Sequence, residues 1–160
     1  MIVELTFKNY RSVKEEQILS LEANSSELKM ANTVFPMNDN DKLKLVKTAV
    51  MYGSNASGKS NLIRLMWTLK AFVLKSTDLK AGDKIPSKYY DPFLLDNISR
   101  NEPIEIKIDF IAFNKKRHRY TVKYNGEEII SEYLGVFNVV VFQKFLKERI
   151  LTNLLSLVMG

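Results

Sequence analysis

The chain has no cysteine and a single histidine, His118. Without thiols there is no disulfide framework and no thiolate metal or redox chemistry, a composition compatible with the cytoplasm. One imidazole excludes a multi-histidine metal site. No run approaches the ~18 apolar residues that a helix needs to cross a bilayer, so no membrane span is expected. Met1 to Lys8 carries Glu4 inside its apolar stretch and shows no cleavage-site pattern, so a signal peptide is not expected either. Glycine is sparse, with six residues and no two adjacent, and no Asp-Glu dipeptide occurs anywhere. Both gaps bear on chemistry below.

What remains is ordinary for a globular chain. A length of 160 residues fits one compact domain, and 46% hydrophobic with 26% charged residues supports a buried core. The net charge of +6 permits contact with nucleic acid or nucleotide phosphates. The lysines are spread along the chain, so a solvated basic surface explains the excess equally well.

One segment names a ligand. Gly53-Ser54-Asn55-Ala56-Ser57-Gly58-Lys59-Ser60 matches the phosphate-binding P-loop pattern G-x-x-x-x-G-K-[ST] at every defined position. Leu45 to Tyr52 before it is β-branched and apolar, and predicts a buried strand. After it, Leu62, Leu65, Met66, Leu69, Phe72 and Val73 recur at helical spacing. In such a loop backbone N–H groups converge on phosphate oxygens, and the helix N-terminus adds positive potential. Gly53 and Gly58 allow tight turns or positive φ. Lys59 would meet the β- and γ-phosphates and the Ser60 hydroxyl would ligate Mg²⁺. Ser54, Asn55, Ala56 and Ser57 would supply mainly backbone.

Around this unit, placed at residues 45–76, the pattern is strand-rich. Ile2, Leu5 and Phe7 open one strand, Gln17 to Ala23 reads as a second, and Asn9-Tyr10-Arg11-Ser12 turns between them. Met37 to Lys42 is a turn signal. Residues 76–92 read as a loop or short helix. Ile104 to Phe113 alternates at period two, Arg119 to Tyr124 returns, and Asn125-Gly126 is a hairpin signal leading to a third strand over 127–134. The meander thus spans 101–134. Asn114 to His118 reads as its solvated basic turn, a cluster that could alternatively touch DNA phosphates.

These features resemble the amino-terminal part of an ABC-type ATPase of the SMC/RecF/OLD-like branch, the prokaryotic proteins usually called AAA-family ATPases. Asn9-Tyr10-Arg11-Ser12 after the first strand, Gly58-Lys59-Ser60-Asn61-Leu62, and Asp91-Pro92-Phe93-Leu94-Leu95-Asp96 ahead of the meander carry the likeness over residues 1–134. The resemblance implies ATP and Mg²⁺ binding, with hydrolysis when two nucleotide lobes meet head to tail as a homodimer or with a missing C-terminal lobe. It also implies a link to DNA metabolism or phage defence. Arg11 matches an arginine that in several such ATPases lies near the nucleotide or couples it to DNA; a solvated turn residue is the alternative. Ala56 stands where many relatives carry glycine.

The departures concern turnover. The resemblance calls for an apolar strand ending in Asp-Glu, a signature with adjacent glycines, a Q-loop glutamine and a switch histidine. The missing dipeptides remove the first two. Phe93 to Asp96 is half of such a strand but follows Pro92, and Ile106-Lys107-Ile108-Asp109 reads as one edge of the meander. Gln143 and His118 fit a polar boundary residue and a solvated turn better than catalytic roles. Asn114-Lys115-Lys116-Arg117 lacks the aspartate of the guanine-selecting Asn-Lys-x-Asp motif, which disfavours GTP. Residues 135–160 form an apolar tail that reads either as a partner-binding helix or as the product of a truncation or frameshift. The expected fold is α/β: a P-loop nucleotide-binding half-domain with an antiparallel β subdomain, an incomplete ATPase lobe. A non-catalytic nucleotide-dependent binding module or an inactive fragment are the alternatives.

Overall fold

A computed structural model describes residues 1–24, 34–36, 43–55, 57–75 and 85–136. Its main element is a five-stranded antiparallel sheet in the order β2-β1-β5-β6-β7, formed by β1 (Ile2–Lys8), β2 (Gln17–Ser20), β5 (Ile104–Ile111), β6 (Arg117–Tyr124) and β7 (Ile129–Val136). A short pair, β3 (Val34–Pro36) with β4 (Lys44–Val46), lies beside it, and one long helix, α1, covers Lys59–Lys75.

Period-two alternation divides the sheet into two faces. Leu5, Ile108 and Tyr120 stand opposite one another across three strands, as do Phe7, Ile106 and Val122. These rows are buried with Leu65, Leu69, Phe72 and Val73 of α1 in one core. The helix therefore packs the stripe that its 3.6-residue spacing predicts, and Tyr124 closes the stripe with its ring 4.5 Å from Phe72. On the opposite face, Glu4, Asp109 and Arg119 form one cross-strand row and Thr6, Lys107 and Thr121 another. Val3, Leu45 and Ile111 make a small second core where β4 approaches.

The first two strands pair antiparallel as the sequence predicts, with Leu5 opposite Leu19. Four other expectations are corrected or refined. The buried strand expected over 45–52 is regular only to Val46; Val50 is 81% and Tyr52 91% exposed. Residues 21–23 flank β4, with Ala23 N–H donating to Lys44 O at 2.7 Å and Val46 N–H to Leu21 O at 2.9 Å. Beyond Val46 the chain leaves the regular strand, and residues 47–52 are exposed. Second, β5 is the edge strand of the meander as read, but an inner strand of the whole sheet, since β1 pairs with its other side.

Third, His118 is not part of a solvated turn. The turn tightens to Ala112–Lys116, with Lys115 at φ 57° donating to Ala112 O, and His118 falls on the inward side of β6, 2% exposed and stacked on Phe110. Fourth, the third strand starts at Ile129 rather than Glu127, although the hairpin that Asn125-Gly126 signals is present. Asn125 Oδ1 accepts the Glu127 and Glu128 N–H groups, both at 2.8 Å, and the connection runs over four residues. Met37 to Lys42, Gln143 and most of the apolar tail lie outside the described residues.

Candidate functional site

The Gly53–Ser60 segment joins the exposed chain after β4 to the start of α1. Gly58 has φ +91°, a conformation that L side chains rarely adopt, immediately before the helix begins. Its carbonyl accepts the Asn61 N–H at 2.9 Å, which sets the first turn. Ser57 N–H donates to Ser54 O at 3.3 Å, closing a second turn within the loop. A Cβ on Gly53 would sit 3.0 Å from Ser57 Oγ, so the loop has room there only for glycine or for an adjusted serine.

Lys59 points back into this loop. Its ammonium donates to Gly53 O at 2.8 Å, Ser54 O at 2.6 Å and Ser57 Oγ at 3.2 Å. Three oxygens thus gather round one cation over a surface-exposed turn. Ser60 is exposed on the first turn of α1, Asn55 is exposed in the loop, and Ala56 lies outside the described residues. Among the described residues no group of three or more His, Asp or Glu side chains is arranged to hold a metal ion.

Arg11 is brought to the same place. The turn Asn9–Ser12 backs the start of α1: Asn61 Nδ2 donates to Ser12 Oγ at 2.6 Å, and Arg11 Nε donates to Asn61 Oδ1 at 2.9 Å. A Cβ on Gly58 would lie 3.5 Å from Ser12 Oγ, so loop and turn are in van der Waals reach. Arg11 also pairs through Nη1 with the Asp91 carboxylate, and its N–H donates to Asp91 O at 2.8 Å. It is therefore neither a freely solvated turn residue nor buried, since its side chain is one-third exposed.

Asn9 anchors this turn to the body. It is 1% exposed, and its Nδ2 donates to Ser99 O and Glu102 O, both at 2.8 Å, while its Oδ1 accepts the Phe93 N–H at 3.1 Å. Tyr10 is buried against α1, its hydroxyl 3.3 Å from Thr68 Oγ1. Asn9 and Arg11 both have positive φ, at 56° and 54°. Two left-handed non-glycine residues in one four-residue turn persist because these contacts over-determine it.

Three sequence segments far apart in the chain thus converge: Asn9–Ser12, Gly58–Asn61 and Asp91–Phe93. Asp91 was not among the candidate residues. Its signals in the sequence were its place before Pro92 and its membership of the Asp91–Asp96 segment, neither of which names a partner.

The other candidates lie elsewhere in the network. Asp96 is in a bend, not a strand; it pairs with Lys14 at 2.9 Å and accepts from Ser99 Oγ at 2.7 Å, contacts that hold its carboxyl well below the usual range. Asp109, 1% exposed, is taken up by Arg119 Nε at 2.6 Å and Arg117 Nη2 at 2.7 Å. Burial pushes its pKa up, but the two guanidinium groups outweigh burial and leave it lowered. Arg117 and Arg119 are thereby ion-paired while their side chains stay part-exposed. His118 has its pKa lowered, first by burial and then by the Lys116 charge.

Among the described residues, an antiparallel sheet covered by one long helix makes a mixed α/β unit consistent with part of an AAA domain. The family model described as "AAA domain, putative AbiEii toxin, Type IV TA system" matches residues 49–151, and the chain belongs to this family. No curated protein matches it. The matched region opens just before the Gly53–Ser60 loop, takes in α1 and the meander, and runs past Leu134 into the apolar tail; β1 and the Asn9–Ser12 turn precede it. Membership suggests nucleotide binding. None of the described helices is long and apolar enough to cross a membrane.

Proposed function

We propose that the chain binds Mg·ATP through Gly53–Ser60. The observation that carries this reading is Lys59 at the start of α1, turned into a loop whose oxygens collect around its ammonium. The residues fit a triphosphate: a left-handed Gly58, a Gly53 position that a Cβ would crowd, and the positive end of a 17-residue helix. Lys59 would exchange its carbonyl partners for β- and γ-phosphate oxygens. Ser60 would offer its hydroxyl to Mg²⁺, which commonly takes one or two protein ligands with phosphate and water for the rest. Gly53, Ser54, Asn55, Ala56, Ser57, Gly58 and Asn61 would line the loop, and Arg11 would add a second cation behind it.

In this reading the protein is an ATP-binding part of an ATPase of the SMC/RecF/OLD-like branch. Hydrolysis would need an acid and a water-positioning group supplied by a second lobe, head to tail. Its coupling would be to DNA or to phage defence, the latter in line with the toxin–antitoxin wording of the family description, and its place the cytoplasm.

Isothermal titration of the full chain with Mg·ATP tests the binding. Micromolar-range binding that Lys59→Ala reduces at least about tenfold, with an unchanged circular-dichroism spectrum, is the expected result. Equal binding by the variant would refute the site. The second reading, a non-catalytic nucleotide-dependent module, is favoured by the absence of any Asp-Glu dipeptide. Phosphate release separates the two: ATP binding without turnover by the purified chain supports the module, and turnover that disappears in Lys59→Ala supports a competent enzyme.

A further inference from the structure

We propose that Asp91 is a tethered competitor for the nucleotide. It pairs with Arg11 and gives the guanidinium up to the terminal phosphate when ATP binds. This rests on the nucleotide site proposed above and adds its regulation. Two contacts and two physical rules support it. Arg11 Nε is fixed by Asn61, one residue beyond Ser60, so the guanidinium already stands at the first turn of α1. That end of a helix carries positive potential, so a cation there needs an anion beside it. The Asp91 carboxylate is the anion that Arg11 contacts. A phosphate oxygen presents the same charge and the same acceptor geometry to an arginine.

The exchange is physically accessible because the pair is part exposed, with side chains 32% and 38% accessible. Water can solvate each partner as it separates, so no charge is left buried. The backbone bond from Arg11 N–H to Asp91 O does not depend on the side-chain pair. The loop can therefore stay attached while its carboxylate is released. Asp91 leads through Pro92 to Phe93, whose N–H is bound by Asn9, and on to Asp96, which is bound by Lys14. Release of the Asp91 carboxylate would remove one side-chain tie of this segment while the Phe93 and Asp96 contacts remain, and so report phosphate occupancy to that surface as a modest gain in exchange.

The experiment is a double-mutant cycle on the full chain, with ATP and ADP affinities measured by calorimetry for the parent, Asp91→Asn, Arg11→Ala and the double variant. Asp91→Asn should tighten ATP about threefold to fivefold, the scale of a part-exposed ion pair, with a smaller change for ADP. In the Arg11→Ala background the same substitution should change nothing. Equal tightening in both backgrounds would reduce Asp91 to a general repulsive charge and overturn the proposal, as would unchanged or weakened ATP binding by Asp91→Asn. Hydrogen exchange of the parent chain needs no variant: peptides covering 90–98 should exchange faster with ATP than with ADP, and identical exchange would also overturn it. A parent chain that binds neither nucleotide, or a Lys59→Ala variant that binds normally, defeats the nucleotide site itself. A parent that binds through Lys59 with a flat Arg11–Asp91 cycle defeats only the competitor.

Discussion

The sheet and the nucleotide loop solve the same problem in opposite ways. In β1, β5 and β6 the backbone groups pair with neighbouring strands, and side chains such as Leu5, Ile108 and Phe110 are shut away from water. From Lys47 to Ser57 every described residue is exposed, and carbonyls of Gly53 and Ser54 are satisfied by the side chain of Lys59. The first region derives its order from burial, the second from a cation and a few short-range turns. Function tends to collect in the second kind of region, because groups that must exchange partners cannot be locked into a core. The Asn9–Ser12 turn joins the two: Tyr10 is anchored in the core while Arg11, its neighbour, reaches the loop.

The contrast can be broken most sharply in the core. Phe110 is fully buried and carries the His118 ring against it at 5.4 Å. Phe110→Ala should cost about 3–5 kcal/mol of unfolding free energy, from lost transfer energy and an unfilled cavity. Urea denaturation gives the number. A loss below about 1 kcal/mol would mean that the sheet is not the stabilising unit.

The joint between the regions should show an intermediate effect. Asn9 satisfies two carbonyls and one N–H deep in the structure and does so at positive φ. Asn9→Ala leaves the Phe93 N–H without its acceptor, strips one donor each from Ser99 O and Glu102 O, and places a strained alanine in the left-handed region, so a loss of about 2–3 kcal/mol is expected. It should also weaken nucleotide binding, because Arg11 loses its platform. Asn9→Asp retains the acceptor for Phe93 but not the donors, and should fall between parent and alanine in the same denaturation experiment.

A pH titration sharpens the comparison from another side. His118 Nε2 lies 3.3 Å from Asn114 Oδ1, while buried Nδ1 has no partner among the described residues, so protonation would place a charge on an unsolvated atom. Its folded pKa lies below the unfolded value of about 6.5. The unfolded chain therefore binds the proton more readily, and the stabilising contribution, complete above that value, declines as pH falls through the folded one. Stability of the parent should drop on going from about pH 7 to pH 5, and His118→Gln should flatten that slope. Asp109, with its lowered pKa, adds a separate loss only below about pH 4, the usual carboxylate range. An identical slope in the His118→Gln variant would assign the dependence to other groups.

Much of the architecture was legible because it depends on local periodicity. Ile104 to Phe110 alternates, Leu65 to Val73 recurs at helical spacing, and each became the element that its period implies. His118 was legible too by the same parity that places Tyr120 and Val122 inward, but its basic neighbours suggested a turn. What periodicity cannot supply is the partner of a strand. The run 45–52 has the composition of a buried strand, yet composition does not say whether neighbouring strands are present to pair with it. Asp91 was hidden for a related reason: its significance is a contact with Arg11 across 80 positions of sequence, and only the fold brings the two together.

The smallest expected effect concerns that same run. Val50 and Tyr52 stand 81% and 91% exposed, and Trp67 on the outer side of α1 is 70% exposed. None of them adds to the core, so Tyr52→Ser should shift unfolding free energy by no more than about 0.5 kcal/mol. The measurement discriminates because surface position and burial predict different magnitudes for the same ring. Removing a fully buried aromatic side chain costs several kcal/mol, and removing an exposed one returns only its few surface contacts. A loss above about 1 kcal/mol would show that something covers the 48–52 segment in solution. Concentration dependence of that loss would then identify the cover as a second copy, whereas a concentration-independent loss would assign it to residues of the same chain.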